Sequence, residues 1–89
     1  MIEIIWGSSF KKAYKKITKA DPQLKNKIIK CLGLFANDPF HSSLNTHKLS
    51  GKLKDLWAFS VDNDCRVVFN FLDDGNVIMV DIGKHDEVY

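Results

Sequence analysis

The chain has one arginine and three histidines, and two of the histidines stand where they could do chemistry with it. His85 lies in the ending Asp81-Ile82-Gly83-Lys84-His85-Asp86-Glu87-Val88-Tyr89. Imidazole is the side chain best suited to move protons near neutral pH. Gly83 lets the chain leave a strand sharply before it, and Tyr89 after it can stack on a base. Arg66 sits inside the otherwise apolar run Cys65–Phe71, where its guanidinium can fork onto a phosphate. His47 is followed by Lys48, Lys52 and Lys54, a basic approach able to hold an RNA backbone. A proton acceptor, a cation for a crowded phosphate and a proton donor are enough to cleave RNA through its own 2′-OH. This set points to a small nuclease or another RNA-handling domain.

Each residue also has a plainer reading. His85 is then an exposed tail residue, Tyr89 closes the edge of the core, and His47 and His41 decorate the surface. Arg66 is then one half of an ion pair with Asp62, Asp64 or Asp81. Other chemistries lack their motifs: there is no phosphate-binding glycine loop, no Ser-His-Asp spacing and no Cys or His pair at zinc spacing. No cofactor and no metal are expected. Cys31 falls in a helix pattern and Cys65 in a strand pattern, so both read as reduced core thiols.

The elements that must position these residues are legible. Ile2–Trp6 is β-branched and aromatic, a first strand. Ser8 or Ser9 can cap the helix after it. There Phe10, Tyr14 and Ile17 form an apolar stripe with Ala13 and Ala20 beside them. Lys11, Lys15 and Lys19 form one outward row, and Lys12 and Lys16 another. Asp21-Pro22 starts a second helix with an acid at the cap and proline at the first position. Leu24, Ile28, Cys31, Leu32 and Phe35 are its buried stripe, and Asn37-Asp38-Pro39 ends it.

Residues 40–52 read as a polar loop. Three strands follow, at 53–61, 65–71 and 76–82, with Asp62-Asn63 and Asp74-Gly75 as hairpin turns. Within the middle strand Cys65, Val67, Phe69 and Phe71 share one face, and Arg66, Val68 and Asn70 the other. Trp57 and Phe59 alternate like core residues. The order is β-α-α-β-β-β, an α+β domain with an antiparallel sheet and a helical hairpin packed on one face.

Eighty-nine residues with 45% hydrophobic content allow a single domain, residues 1–89, with one core. No apolar run approaches the roughly 20 residues that would span a membrane, and Met1–Trp6 lacks the basic start of a signal peptide. A cytoplasmic protein is expected. The net charge of +2 hides an asymmetry. Residues 8–54 hold eleven lysines against Asp21 and Asp38, whereas residues 55–89 hold Arg66 and Lys84 against eight acids. Such separation sets a polyanion-facing or acid-facing side against an acidic sheet end.

At this point the chain resembles the RelE/ParE superfamily of toxins from bacterial type II toxin–antitoxin systems. Within it the chain is most similar to the YafQ and RelE/StbE-type messenger-RNA endonucleases. The resemblance spans essentially the whole chain. It rests on the element order, the loop Thr46-His47-Lys48-Leu49-Ser50-Gly51, the core Leu56-Trp57-Ala58-Phe59-Ser60-Val61-Asp62, the strand Arg66-Val67-Val68-Phe69 and the ending from Ile82 to Tyr89.

It implies a ribosome-dependent, metal-independent endoribonuclease that cuts messenger RNA and leaves a 2′,3′-cyclic phosphate or the 3′-phosphate derived from it. By matching position, His85 is the principal acid/base group and Arg66 stabilises the phosphate. His47 is a second acid/base or positioning group, Tyr89 orients the substrate, and Asp62 or Asp64 supplies an acid. Lys48, Lys52 and Lys54 would hold the RNA. The implied partners are the ribosome, its message and a cognate antitoxin, with free toxin monomeric and larger assemblies formed through the antitoxin. The chain departs from the pattern in one strand, where Ser60 stands for a histidine of YafQ-like members, and in having one arginine where RelE proper uses several basic groups. Two alternatives share the fold: a ParE-like gyrase inhibitor and a non-catalytic RNA- or antitoxin-binding module.

Overall fold

A computed structural model describes residues 2–51 and 55–84. Two Asp-Pro dipeptides set its helices. The residue before proline is driven out of the helical region. Asp21 (φ −141°, ψ 88°) and Asp38 (φ −153°, ψ 86°) both take up that extended backbone. The first helix, α1 (Ser8–Ala20), therefore closes with the Asp21 N–H on Ile17 O, and the second, α2 (Pro22–Asn37), with the Asp38 N–H on Leu34 O. Pro22 opens α2 at the position where a missing N–H is harmless. The side chain of Asp21 makes no capping bond; its contribution is the carbonyl that accepts from Leu24 N.

The cap of α1 is Gly7, not Ser8 or Ser9. Gly7 links α1 to the first strand, β1 (Ile4–Trp6), and donates its N–H to Met79 O at 3.0 Å. A Cβ built at this position would lie 2.7 Å from the same oxygen. Close backbone approach, which a serine side chain would obstruct, therefore decides the cap.

The other strands are β2 (His47–Lys48), β3 (Trp57–Ser60), β4 (Cys65–Phe71) and β5 (Val77–Lys84). They form one sheet in the order β1-β5-β4-β3-β2. The meander β3-β4-β5 and the β2–β3 pair are antiparallel, as the hairpin turns require. β1 pairs parallel with β5, because two helices separate them and return the chain to the same end. The sheet is thus mixed where a wholly antiparallel one was expected. The polar loop also holds a short 3₁₀ turn (Ser42–Leu44) and the edge strand β2. The described part of the first meander strand is shorter than the run 53–61. The last strand is longer than 76–82 and carries Gly83 and Lys84 within it.

Alternation divides the sheet into two faces. Phe59, Cys65, Val67, Phe69, Val77, Met79 and Ile82 face the helices and pack on Phe10, Leu24, Ile28, Leu32 and Phe35. Phe35 contacts both Phe59 and Phe69, with centroids 4.9 and 4.8 Å away. Such ring pairs add about 0.5–1.5 kcal/mol each beyond area burial. On the opposite face Leu49, Ala58 and Val68 make a small second cluster with Leu56 and Val80. Among the described residues that face carries no helix.

Candidate active site

Cross-strand partners share a face, so the register places the candidate residues directly. Arg66 on β4 lies between Ser60 on β3 and Gly83 on β5. One row away on the same face are His47, Ala58 and Val68. His47 and Arg66 are two strands and one row apart, a Cα separation of roughly 12 Å from standard sheet spacings. The sheet therefore brings both to its open face. Lys48, the neighbour of His47, pairs with Trp57, whose row points to the helix side.

The turn before Arg66 is fixed by one carboxylate. Asp62 Oδ1 accepts from Asp64 N at 2.9 Å and from Cys65 N at 2.8 Å. Its Oδ2 lies 3.5 Å from Lys27 Nζ on α2. Burial opposes the charge on Asp62, yet the two N–H donors and Lys27 outweigh it and hold the carboxyl below its ordinary range. Of the two acids left open by the sequence, Asp62 is thus committed to the turn. Asp64 is exposed and lends that turn its backbone N–H.

A polar cleft of about 340 Å³ opens at this end of the face, lined by Ser43, Asn45, Ser60, Val61, Asp62, Asn63 and Arg66. Arg66 is half-buried in it. Ser43 and Asn45 come from the 3₁₀ turn and its end, a segment that reads in the sequence only as polar loop. Asn45 takes a left-handed backbone (φ 51°), one of the few conformations asparagine tolerates better than most residues. Its carbonyl lies 2.9 Å from His47 Nδ1. A carbonyl can only accept, so Nδ1 carries a proton and Nε2 is the basic nitrogen of the neutral ring. Asn45 thereby ties His47 to the wall of the Arg66 cleft.

His85, Tyr89, Lys52 and Lys54 lie outside the described residues. His41 belongs to the 3₁₀ turn: its Nδ1 accepts from Ser43 N and meets Ser43 Oγ, a structural role. Cys31 is half-buried and Cys65 buried; burial raises both thiols, Cys65 to about 12. Both are free thiols, as expected. Among the described residues no cluster of three His, Cys, Asp or Glu gathers as metal donors. No helix among them is long and apolar enough to cross a membrane.

The model for the bacterial YafQ toxins of type II toxin–antitoxin systems matches residues 2–89. This chain belongs to that family. No curated protein sequence matches it significantly. Among solved structures, YafQ from Escherichia coli BL21(DE3) superposes with a TM-score of 0.81 at 19% identity, covering 100% of this chain and 99% of that one. The toxin in the Escherichia coli DinJ–YafQ complex gives 0.81 at 20% identity over the same shares. A copper-bound mutant toxin from Helicobacter pylori gives 0.75 at 25% identity, with both chains fully covered. Two helices on a five-stranded mixed sheet are thus the RelE-like toxin fold.

Proposed function

We propose that this toxin is a ribosome-dependent endoribonuclease that cleaves messenger RNA without a metal. The observation that carries the reading is the gathering of the lone arginine and a tethered histidine on the helix-free face, beside a cleft lined by hydroxyl and amide groups. Hydroxyls and amides recognise ribose and base edges, and the guanidinium recognises phosphate.

In this reading a base removes the 2′-OH proton and the 2′ oxygen attacks the adjacent phosphorus. The bond from phosphorus to the 5′ oxygen breaks, an acid protonates that oxygen, and a 2′,3′-cyclic phosphate and a 5′-OH result. His85 serves as the principal acid/base group. It follows Gly83 by two residues, and Gly83 is the cross-strand partner of Arg66. Arg66 holds the charge that builds on the phosphate. His47 is the second proton carrier or a positioning group, and Tyr89 stacks on the substrate. Asp64, rather than the turn-closing Asp62, is the acid available to meet it. Lys52 and Lys54, beside the His47 loop in sequence, are the lysines left to hold the RNA, because the row of Lys48 points to the helix side.

The exposed lysines of α1 and α2 suit ribosomal RNA and, in the resting cell, an acidic antitoxin segment. The Escherichia coli YafQ toxin forms a toxin–antitoxin complex with DinJ, which supports an antitoxin partner here. The toxin acts in the cytoplasm, a monomer when free and part of a larger assembly with its antitoxin.

The test is inducible expression in bacteria of the wild type and His85→Ala, with primer extension on a reporter message. Growth arrest with discrete cuts in codon register, both lost in His85→Ala, is the expected result. Arrest without cuts but with DNA-damage signalling overturns it in favour of a gyrase inhibitor. No arrest from well-expressed wild type leaves a binding module.

A further inference from the structure

A second cleft adjoins the Arg66 cleft. It measures about 280 Å³ and lies between α2 and the 3₁₀ turn. Ser43 and Val61 line both clefts, so the two share a wall. Their chemistry differs. The first is lined mostly by hydroxyl, amide and charged groups. The second has an apolar floor, Leu34, Leu44 and Val61, and two lysines, Lys27 and Lys30. Both lysines are exposed on α2.

An apolar floor beside two ammonium groups complements an aromatic base joined to a phosphate. An acidic peptide would use the lysines but leave the floor to a side chain. The wall shared with the Arg66 cleft instead suits one polyanionic strand that passes from one cleft to the other. We propose that this second cleft is a subsite for the nucleotide next to the cleaved linkage, its base on the half-buried Leu34 and Val61 and its phosphate at Lys27 and Lys30. The inference rests on the ribonuclease reading of the Arg66 cleft and extends it to a neighbouring nucleotide.

Lys27 has a particular place in this arrangement. It lines the second cleft while its Nζ lies 3.5 Å from Asp62 Oδ2, which lines the first. The pair is solvent-exposed and weakly held. A phosphate arriving at Lys27 competes with a contact that gives way readily. Lys30 lines the same cleft and supplies the stronger handle on the strand.

The experiment measures binding by fluorescence anisotropy at low salt. The probes are short oligoribonucleotides spanning a mapped cut, with 2′-deoxyribose before the cleaved linkage so that no 2′-OH can attack. A second set replaces the base of the nucleotide on either side of the linkage by an abasic unit. For wild type, an abasic unit on one side is expected to weaken binding about fivefold or more, the loss expected for one stacked base. Lys30→Glu is expected to weaken binding of the intact oligonucleotide and to reduce that abasic penalty. Lys27→Gln should act the same way more mildly. Circular dichroism and thermal melting confirm that these exposed changes leave the fold intact.

Equal binding of intact and abasic probes by wild type overturns the subsite. So does a Lys30→Glu loss that leaves the abasic penalty unchanged, which is diffuse attraction and no subsite. If Arg66→Ala weakens binding but the lysine changes do not, the subsite fails and the Arg66 reading stands. If wild type binds no probe, the subsite fails, whereas the ribosome-dependent cleavage reading stands or falls on the primer-extension test.

Discussion

Arg66 and Gly83 face each other across β4 and β5. Every other residue type at position 83 would send a side chain onto the open face beside the guanidinium. In the proposed ribonuclease, such a side chain would compete with the phosphate for Arg66. Arg66→Ala is expected to lower cleavage about 10²- to 10³-fold, the usual loss for one donor to a developing anion. Arg66→Lys should recover little, because it restores the charge and not the fork. Gly83→Val should reduce cleavage by crowding while Arg66 itself is intact. Cleavage of a reporter message by purified toxin and programmed ribosomes measures all three. Unaltered melting curves for the two Arg66 variants would separate loss of chemistry from loss of fold.

Asp62 joins the turn to the helices, and its carboxyl is held below the ordinary range. A lowered acid contributes stability above its unfolded value, about 4 for aspartate, and loses it as pH falls through the lowered folded value. Urea midpoints of the wild type should therefore drop as pH falls below about 4, and Asp62→Asn should flatten part of that drop. At neutral pH Asp62→Ala leaves Asp64 N and Cys65 N without their acceptor and should cost about 1–2 kcal/mol. Asp62→Asn keeps an oxygen in place and should cost less. A neutral-pH loss that is equal in the two variants would show that the acceptor is not what holds the turn.

The helices were legible because their signals are local. Phe10, Tyr14 and Ile17 repeat at helical spacing, and each helix ends at an Asp-Pro pair that leaves the backbone one choice. The faces of β4 followed from alternation alone: Cys65, Val67 and Phe69 are buried under the helices, and Arg66 is not. What escaped was non-local. The parallel β1–β5 pair depends on where two helices return the chain. The Gly7 cap depends on Met79 O, seventy-two residues later. At the candidate site, the sequence marked Arg66 and His47 but missed Ser43 and Asn45, which read as loop. Asn45 enters the cleft through a left-handed turn that carries only a weak asparagine signal. The choice of Asp62 over Asp64 for the turn was also hidden, since either carboxylate can close a short hairpin and only the hydrogen bonds distinguish them.

The thiols offer a check on packing that is independent of function. Burial raises Cys31, and raises Cys65 further to about 12. The thiolate is the reactive form, so both should react with iodoacetamide at pH 8 more slowly than a free thiol. Cys31 is half-buried and should react first. Cys65, under the helices, should wait for opening of the fold and react at the unfolded rate in urea. Mass spectrometry of the modified chain gives the order. Equal rates for the two in the native protein would contradict the packing of α2 over β4.

Gly7 sets how closely the β1–α1 junction approaches β5. Its N–H reaches Met79 O at 3.0 Å, and an added Cβ would stand 2.7 Å from that oxygen. The obstacle is backbone inside the sheet, which cannot swing aside as a flexible side chain would. Gly7→Ala must therefore lengthen the hydrogen bond or shift β1 against β5. Strain of this kind typically costs about 1–3 kcal/mol, a large share of the stability of so small a domain. Gly33 is the matching control. A Cβ there meets nothing within 4 Å, and the position is exposed on α2, so Gly33→Ala should stabilise by about 0.5–1 kcal/mol through helix propensity. Urea denaturation of the two variants beside wild type measures both effects. Opposite signs at the two glycines are the expected result. A neutral Gly7→Ala would mean that the junction yields and that Gly7 is not what fixes the parallel edge of the sheet.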